Sequence, residues 1–212
     1  MGDKDELEND LESLKSMAQV VVDGQNIAFE HGRPIAKKLG KKTFFSYEAF
    51  KIVIESLYQR GCAARIVLPQ RFMSKKYRAK NDRLGIIDYF SKYDVFVPVN
   101  GAWTDQHKKD DIFMLGLAFS ANSKIVTNDK FRNELENLGE NEYEIWKPWI
   151  EKNRIGFKFE DDAFVPDTLS LKYDNSVCLL ERAKESGVIK FWDETYVAIG
   201  HAGDSFGWSE LL

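Results

Sequence analysis

The run from Val20 to Glu30, VVVDGQNIAFE, constrains the fold of this chain more than any other segment. Three valines lead directly into Asp23-Gly24, and an apolar run that stops at Asp-Gly is typical of a buried strand ending at a tight turn. In an open α/β sheet, side chains at the carboxyl ends of strands face the crevice where ligands bind. We therefore expect the Asp23 carboxylate at such a crevice, with the amide of Asn26 close behind; the alternative is a turn-forming Asp after a core strand.

Two further segments favour the ligand-binding interpretation. Lys124–Asp129, KIVTND, is a second apolar run that ends in polar residues, and Asp110-Asp111 precede an apolar stretch with helical spacing. Acids at a helix N-terminus are favoured by the dipole and by capping, which explains such a pair when it stands alone. Four carboxylates at one edge of a sheet would repel one another, and Mg²⁺ or Mn²⁺ would relieve that repulsion. We therefore expect the four to lie close together around a metal ion.

The same segments resemble a known family. DGQNIAFEHG, DDIFMLGLAF, IVTNDKFRNEL and EIWKPWIEKNRIGFKFEDDAFVPD are similar in order and spacing to the Regnase-type NYN ribonuclease domain of the PIN-like superfamily. The resemblance implies a PIN-like three-layer α/β/α sandwich with a central, mostly parallel sheet. It also implies cleavage of RNA by a Mg²⁺- or Mn²⁺-dependent endoribonuclease that leaves 5′-phosphate and 3′-hydroxyl ends. The family's metal-binding and catalytic residues fall on Asp23, Asp110, Asp111, Asp129 and, as the amide of the first motif, Asn26.

The chain departs from the family pattern in three places. An Arg-rich stretch before the Asp pair is replaced by VNGAWTDQHKK, and the second acid beyond the fourth strand is Asn133. With only Cys62 and Cys178, the described sequence also has no CCCH zinc finger. These differences leave open an alternative: a catalytically weak or inactive RNA-binding or scaffold subunit of an RNA-silencing or RNA-decay complex.

The chemistry of metal binding suggests a role for each of the four acids. Asp23 and Asp129 are the expected direct metal ligands, while Asp110 and Asp111 differ by about 100° around a helix, so one faces the metal and the other orients water. Asn26 and Asn128 would hold a ligand water or a phosphate oxygen. A haloacid-dehalogenase-like phosphatase also begins with a strand-end Asp, but it needs a second Asp where this chain has Gln25.

The distribution of charge predicts a surface that binds a polyanion, and the expected ligand is single-stranded or stem-loop RNA. The formal net charge is −4, but Arg33–Lys109 holds seventeen Lys and Arg against six Asp and Glu. Within it, Gln70–Lys80 mixes basic residues with Phe72 and Tyr77, which suits phosphate contacts and base stacking, although Phe72 could instead lie in the core. Trp103 could likewise meet a base. The expected RNA-binding residues are Arg71, Lys75, Lys76, Arg78, Lys80, Lys108, Lys109 and Asn128.

The sequence divides into three parts. Residues 1–17 are expected to form an acidic leader helix, since Asp3–Glu12 holds six acids against one lysine. Residues 18–168 are expected to form the nuclease domain. Residues 169–212 are expected to form an extension, a helix plus a strand or hairpin, that packs on the domain. A leucine stripe in the leader and the family's self-association favour a homodimer; the alternatives are autoinhibitory docking of the leader on the chain's own RNA-binding face and a disordered tail without a function. Two cysteines and the lack of a long apolar run predict a cytoplasmic chain with no membrane contact. The resemblance implies RNA-decay or RNA-silencing proteins as its other partners.

Hydrophobic periodicity predicts alternating strands and helices, and hence a parallel sheet with right-handed crossovers. We expect basic loops at Gly24–Ser46 and Pro69–Lys80, a helix capped by Ser46, and surface positions for His31 and His107. The expected strands are Val20–Asp23, Ala64–Leu68, Asp94–Val99, Lys124–Thr127 and a fifth near Gly156–Glu160.

Overall fold

The computed structural model of the protein describes residues 18–82, 84–99 and 106–167, without side-chain detail at 18, 80–81 and 106–109. The predicted leader, the predicted C-terminal extension and Trp103 lie outside the described residues, as do the side chains of Lys80 and 107–109. None of the described helices combines the length and the hydrophobicity that a membrane span requires.

A five-stranded parallel sheet forms the centre of the described domain. Its strands are β1 (Ala18–Asp23), β2 (Cys62–Pro69), β3 (Phe96–Val99), β4 (Lys124–Val126) and β5 (Arg154–Ile155). They lie in the order β3-β2-β1-β4-β5, and every neighbouring pair is parallel. Central strand β1 is flanked by β2, with Asp23 opposite Val67, and by β4, with Val22 opposite Val126. The α/β fold with a parallel sheet is confirmed.

Helices cover both faces of this sheet. They are α1 (Gly24–Lys38), α2 (Glu48–Tyr58), α3 (Gln70–Met73), α4 (Lys75–Asn81), α5 (Ile86–Ser91), α6 (Gln106–Ser120), α7 (Arg132–Glu136) and α8 (Glu140–Asn153). Val20 and Val22 join one buried cluster with residues of α1 and α2. Val21 is equally buried but points to the other face, because side chains alternate along a strand. There α6 lies across β1, β2 and β4, and its Phe119 packs against two tryptophans of α8.

The predicted loop at Gly24–Ser46 is wrong, because its first fifteen residues form α1. Gly32 and Pro34 suggest a break, but Gly32 has another role: a Cβ there would overlap the carbonyl oxygen of Phe44. Gly24 similarly lets the helix start beside β2, since its Cβ would lie 2.7 Å from the carbonyl oxygen of Val67. Both glycines permit close packing rather than a turn.

The predicted loop at Pro69–Lys80 is also wrong, because α3 and α4 occupy it. Ser74 begins α4, and its hydroxyl accepts a hydrogen bond from the backbone N–H of Tyr77 at 3.4 Å. Phe72 is buried and stacks on Phe45 with ring centroids 4.2 Å apart. It therefore anchors these short helices to the core and is not placed to stack on a base.

Several other boundaries differ from the sequence-based expectation. The fifth strand of the sheet is only Arg154–Ile155, while Phe157–Glu160 (β6) pairs antiparallel with Ala163–Pro166 (β7) in a separate hairpin. Ser46 does not cap α2. Its hydroxyl instead lies 2.8 Å from Nδ1 of His31, and His31 is buried rather than on the surface.

Candidate active site

The strand order creates a switch point between β1 and β4. From β1 the chain builds outward through β2 to β3, then returns to the other side of β1 to form β4. In such sheets, ligands bind outside the carboxyl ends of the strands at the point where the direction reverses. Asp23 ends β1, and Thr127, Asn128 and Asp129 follow β4 directly, so both predicted strand-end acids lie at this switch point.

Hydrogen bonds hold the carboxylate of Asp23 in place. Oδ1 accepts from the backbone N–H of Asn26 at 3.0 Å, and Oδ2 accepts from the hydroxyl of Thr127 at 2.8 Å. The same hydroxyl oxygen accepts from the backbone N–H of Asp129 at 3.1 Å. Burial raises the pKa of Asp23 despite these hydrogen bonds, and the nearby Asp129 raises it further.

The Asp pair lies on α6, which begins at Gln106, so Asp110 and Asp111 are its fifth and sixth residues. Helix capping therefore does not account for them. Asp110 is only 6% exposed; its Oδ2 accepts from Nε2 of Gln25 at 3.3 Å, and its Oδ1 has no hydrogen-bond partner among the described residues. Burial, opposed by Arg71 and reinforced by Asp23, raises the pKa of Asp110 to about 6.

Asp111 links the two halves of this acidic cluster, defined as Asp23, Asp110, Asp111 and Asp129. It is half-buried, and burial followed by repulsion from Asp23 raises the pKa of its carboxyl to about 8. Asp129 and Asp110 add to that repulsion, as does Glu134 on α7. The four predicted acids thus interact electrostatically at one edge of the sheet.

The acidic cluster fits a hard divalent cation. It offers only carboxylate oxygens, and a buried oxygen of Asp110 lacks a hydrogen-bond partner in the described part of the protein. Across residues 18–82, 84–99 and 106–167, no three Asp, Glu, His or Cys groups gather closely enough to hold a metal by themselves. Mg²⁺ is usually bound through one or two carboxylates, with waters and phosphate oxygens completing the shell, so this looser arrangement still suits it.

Comparison with known proteins agrees with the geometry. The model of the Zc3h12a-like ribonuclease NYN domain family matches residues 16–178 of the chain. The chain belongs to this family. Among curated proteins, it is similar to the endoribonuclease rege-1 of Caenorhabditis elegans, with 26% identity over 156 residues. That match spans 71% of this chain but only 22% of the relative.

In this NYN domain the two asparagines of the motifs connect the site to the hairpin. Oδ1 of Asn26 accepts from the backbone N–H of Asn128 at 3.0 Å. The side chain of Asn128 bonds both backbone groups of Phe157, each at 2.9 Å. Asn128 is therefore a structural link between β4 and β6, and its predicted contact with RNA stays a prediction, as does the role of Asn26 in holding a water or phosphate.

The predicted RNA-binding residues are only partly brought to the site. Arg71 lies beside it, where Nη2 donates to Oε1 of Gln25 at 3.1 Å. Lys75 and Lys76 are exposed on α4. Arg78 is half-buried in an ion pair with Asp88, so its guanidinium is already engaged.

Three functional candidates of the NYN domain were missed by the sequence analysis. Gln25 and Thr127 contact the acidic cluster directly, and Glu134 supplies an acid one residue after the departure at Asn133. Their position next to the predicted motifs was the only available signal. The partner of Gln25 lies 85 residues away in the sequence, and the partner of Thr127 lies 104 residues away, so sequence spacing could not reveal these contacts.

Proposed function

We propose that this NYN domain is a divalent-metal-dependent endoribonuclease that cleaves single-stranded RNA, including mRNA, by attack of water on the phosphodiester. The observation that carries the proposal is the acidic cluster at the switch point, with an oxygen of Asp110 that is buried and has no hydrogen-bond partner in the described residues. Buried like charges are costly without a compensating cation. Membership of a ribonuclease NYN family supports RNA as the substrate.

Asp23, Asp110, Asp111 and Asp129 would surround the cation, Mg²⁺ or Mn²⁺, with one or two of them binding it directly and the others acting through its water ligands. A bound divalent ion acidifies a water and neutralises charge on the phosphate in the transition state. Asn26 and Thr127 orient Asp23, so that its carboxylate keeps one direction while the substrate binds. Arg71 supplies a guanidinium beside the cluster for a phosphate of the RNA. The P–O3′ bond breaks, leaving 5′-phosphate and 3′-hydroxyl ends.

The alternative is a non-cleaving RNA-binding or scaffold subunit. The absence of a three-ligand group among the described residues favours it, and so does Asn133 in place of an acid. Under either proposal, the protein works in RNA decay or RNA silencing, and the homodimer stays a prediction that light scattering would test.

Substituting Asp23 by Asn separates the two functions. The amide keeps the size and can still cap α1, but it removes one negative charge from the metal site. We expect Mg²⁺-dependent cleavage of a 5′-labelled single-stranded RNA to be lost, while RNA affinity in EDTA is largely kept. Sequencing of the products should show 5′-phosphate ends.

Asp161→Asn is the matched control, because this exposed Asp lies in the turn between β6 and β7 at positive φ, which Asn tolerates. It should cleave like wild type. If Asp23→Asn retains activity within about tenfold of wild type, roughly 1.4 kcal/mol of barrier, Asp23 is not a metal ligand. A wild-type protein that binds RNA without cleaving it in Mg²⁺ or Mn²⁺ supports the scaffold function instead.

A further inference from the structure

Phe29 is a large apolar side chain that is exposed beside the candidate active site. It lies on α1 one turn after Gln25, whose Nε2 donates to Oδ2 of Asp110 at 3.3 Å. Both residues face the short helix α3, since Gln25 contacts Arg71 and the ring of Phe29 contacts that of Phe72. Phe29 is nevertheless 36% exposed, whereas Phe72 is only 4% exposed. Phe29 is therefore about 6 Å along α1, the rise of one turn, from the residue that contacts the acidic cluster.

The packing of Phe29 directs one face of its ring outward. Phe45 and Phe72 stack on each other, with centroids 4.2 Å apart and ring planes within 6° of parallel. The ring of Phe29 is nearly perpendicular to both, with its centroid 5.2 Å from that of Phe45 and 6.3 Å from that of Phe72, so it lies beside the pair. In perpendicular aromatic contacts the positive edge of one ring meets the negative face of another. One face of Phe29 therefore covers the edges of the pair, and the exposed part of the ring is its opposite face.

The same aromatic cluster anchors a basic helix. Tyr77 of α4 packs edge-on against Phe72, with ring centroids 5.0 Å apart. Lys75 and Lys76, which are exposed, belong to the same helix. An exposed aromatic ring near both an acidic cluster and exposed ammonium groups suits single-stranded RNA, since bases stack on the ring while cations contact the phosphates.

We propose that Phe29 is a base-stacking residue: one unpaired base of the RNA stacks on its exposed face while the phosphodiester to be cleaved lies at the acidic cluster. The inference rests on the proposed function, because it takes RNA as the substrate and the acidic cluster as the place of cleavage. It adds a source of specificity. A base inside a duplex is already stacked on both sides, so Phe29 favours single-stranded over double-stranded RNA. The stacking expected of Phe72 is thereby assigned to a residue that packs on it.

The test measures affinity in EDTA, by fluorescence anisotropy, for two labelled probes: a short oligoadenylate and a ribose-phosphate chain of the same length without bases. Wild type should bind the oligoadenylate more tightly, because only that probe can stack. Phe29→Leu keeps an apolar side chain but loses the aromatic face, so its affinity for the oligoadenylate should fall by about tenfold. Its affinity for the chain without bases should be unchanged.

Two further variants serve as controls. Phe29→Tyr keeps the ring and should bind both probes like wild type. Tyr58→Leu removes an aromatic side chain that is 49% exposed at the end of α2, shortly before β2 begins, and therefore near the opposite edge of the sheet from the acidic cluster. It should change neither affinity. Thermal unfolding of each variant shows whether it is folded.

Three results would overturn the stacking role. A wild-type protein that binds the two probes equally well does so, whether or not the variants fold. A folded Phe29→Leu protein that prefers the oligoadenylate as strongly as wild type does so too. An equal loss of affinity for both probes is the third, because a merely structural role of Phe29 would weaken binding of both chains alike.

Failure of the proposed function looks different. RNA cleavage in Mg²⁺ by a protein whose affinities do not depend on Phe29 keeps the nuclease and rejects the stacking. RNA binding that depends on Phe29, without cleavage in Mg²⁺ or Mn²⁺, keeps the stacking and rejects the nuclease.

Discussion

At the scale of single residues, one hydroxyl organises two acids of the site. Thr127 is fully buried and donates to Asp23 while accepting from the backbone of Asp129. Thr127→Val keeps the shape and loses both bonds. We expect cleavage to fall by about 10- to 100-fold, as for other groups that orient metal ligands, and stability to fall by about 1–3 kcal/mol.

Thr127→Ser serves as the rescue variant, since it restores the hydroxyl, and it should recover most of the activity. Cleavage rates and Mn²⁺ affinities are measured for all three proteins, with urea denaturation as the check on folding. Equal rates for the Val and Ser variants would show that the hydroxyl has no part in orienting Asp23.

A second residue-scale prediction concerns His31 and pH. Burial lowers the pKa of this imidazole from 6.5, and the smaller effects of Asp162 and Glu48 act in the opposite direction. A lowered pKa in the folded state means that protonation favours unfolding, so the stability that His31 contributes is present above about pH 6.5 and is lost below it. His31→Asn should remove this dependence.

The measurement is the difference in unfolding free energy between wild type and His31→Asn at pH 7.5, 6.5 and 5.5. Wild type should lose stability relative to the variant as the pH falls. Since the other two histidines, His107 and His201, are present in both proteins, the difference isolates His31. A constant difference across this range would mean that His31 titrates as in the unfolded chain.

At the scale of elements, the packing of α1 depends on a glycine in its middle. A Cβ at Gly32 would overlap the carbonyl oxygen of Phe44, and backbone cannot move aside as a flexible side chain can. Gly32→Ala should therefore destabilise the protein by about 3 kcal/mol in urea denaturation.

Gly139→Ala is the matched control for this packing effect. It lies at φ −67°, and its Cβ would meet only Glu142 Oε2 at an ordinary 3.6 Å. Gly139→Ala should therefore lower the free energy of unfolding by no more than about 1 kcal/mol. Similar costs at the two positions would argue against a close approach of α1 to the Phe44 segment.

The sheet was predictable because its strands are short apolar runs that end in polar turns, as at Asp23. Helix α1 could not be predicted, because Gly32 and Pro34 are typical of a break in a helix. The reason for Gly32 becomes clear only when the Phe44 segment is seen to pack against it. The fifth strand was misplaced for a related reason, because the pairing partner of each short β segment cannot be known from the sequence alone. The fifth strand was predicted near Gly156–Glu160, but that segment pairs with Ala163–Pro166, and the strand that joins the sheet is Arg154–Ile155 just before it.

The acids of the site were predictable for a different reason. Strand ends in a parallel sheet share one edge, so Asp23 and Asp129 could be placed together without knowing any contact. Gln25 and Thr127 could not, because a polar side chain near a motif is ordinary until its partner is known. The opposite error concerns Phe72. An aromatic residue among basic residues suggested stacking on RNA, but the ring of Phe72 packs in the core against Phe45.

At the scale of the whole molecule, the negative net charge disfavours RNA binding, while the positive charge on α4 favours it. The protein carries −4, yet Lys75 and Lys76 are exposed on α4, close to Arg71 in sequence. Binding through phosphates should be strongly salt-dependent despite the negative total. Replacing both lysines by Glu should weaken RNA binding across all sequences and reduce the slope of log affinity against log salt by about 1.4.

Lys147→Glu with Lys152→Glu makes the same change in charge on the exposed surface of α8. Fluorescence anisotropy with labelled RNA in EDTA, from low to high salt, compares the two double variants. A slope reduced equally in both would mean that only net charge matters and that α4 is not part of the RNA-binding surface.

The site is also assembled from distant parts of the chain, which has a consequence during synthesis. Asp23 and Thr127 meet across 104 residues, and Asp110 comes from the helix between them. At 5–20 residues per second, a ribosome that has made Asp23 needs roughly 5–20 s more to reach Thr127. Until β4 and the residues after it have left the exit tunnel, the growing chain lacks Asp129 and the Thr127 hydroxyl that holds Asp23. If the domain cleaves mRNA as proposed, a nascent domain should therefore be unable to cut the message from which it is being translated.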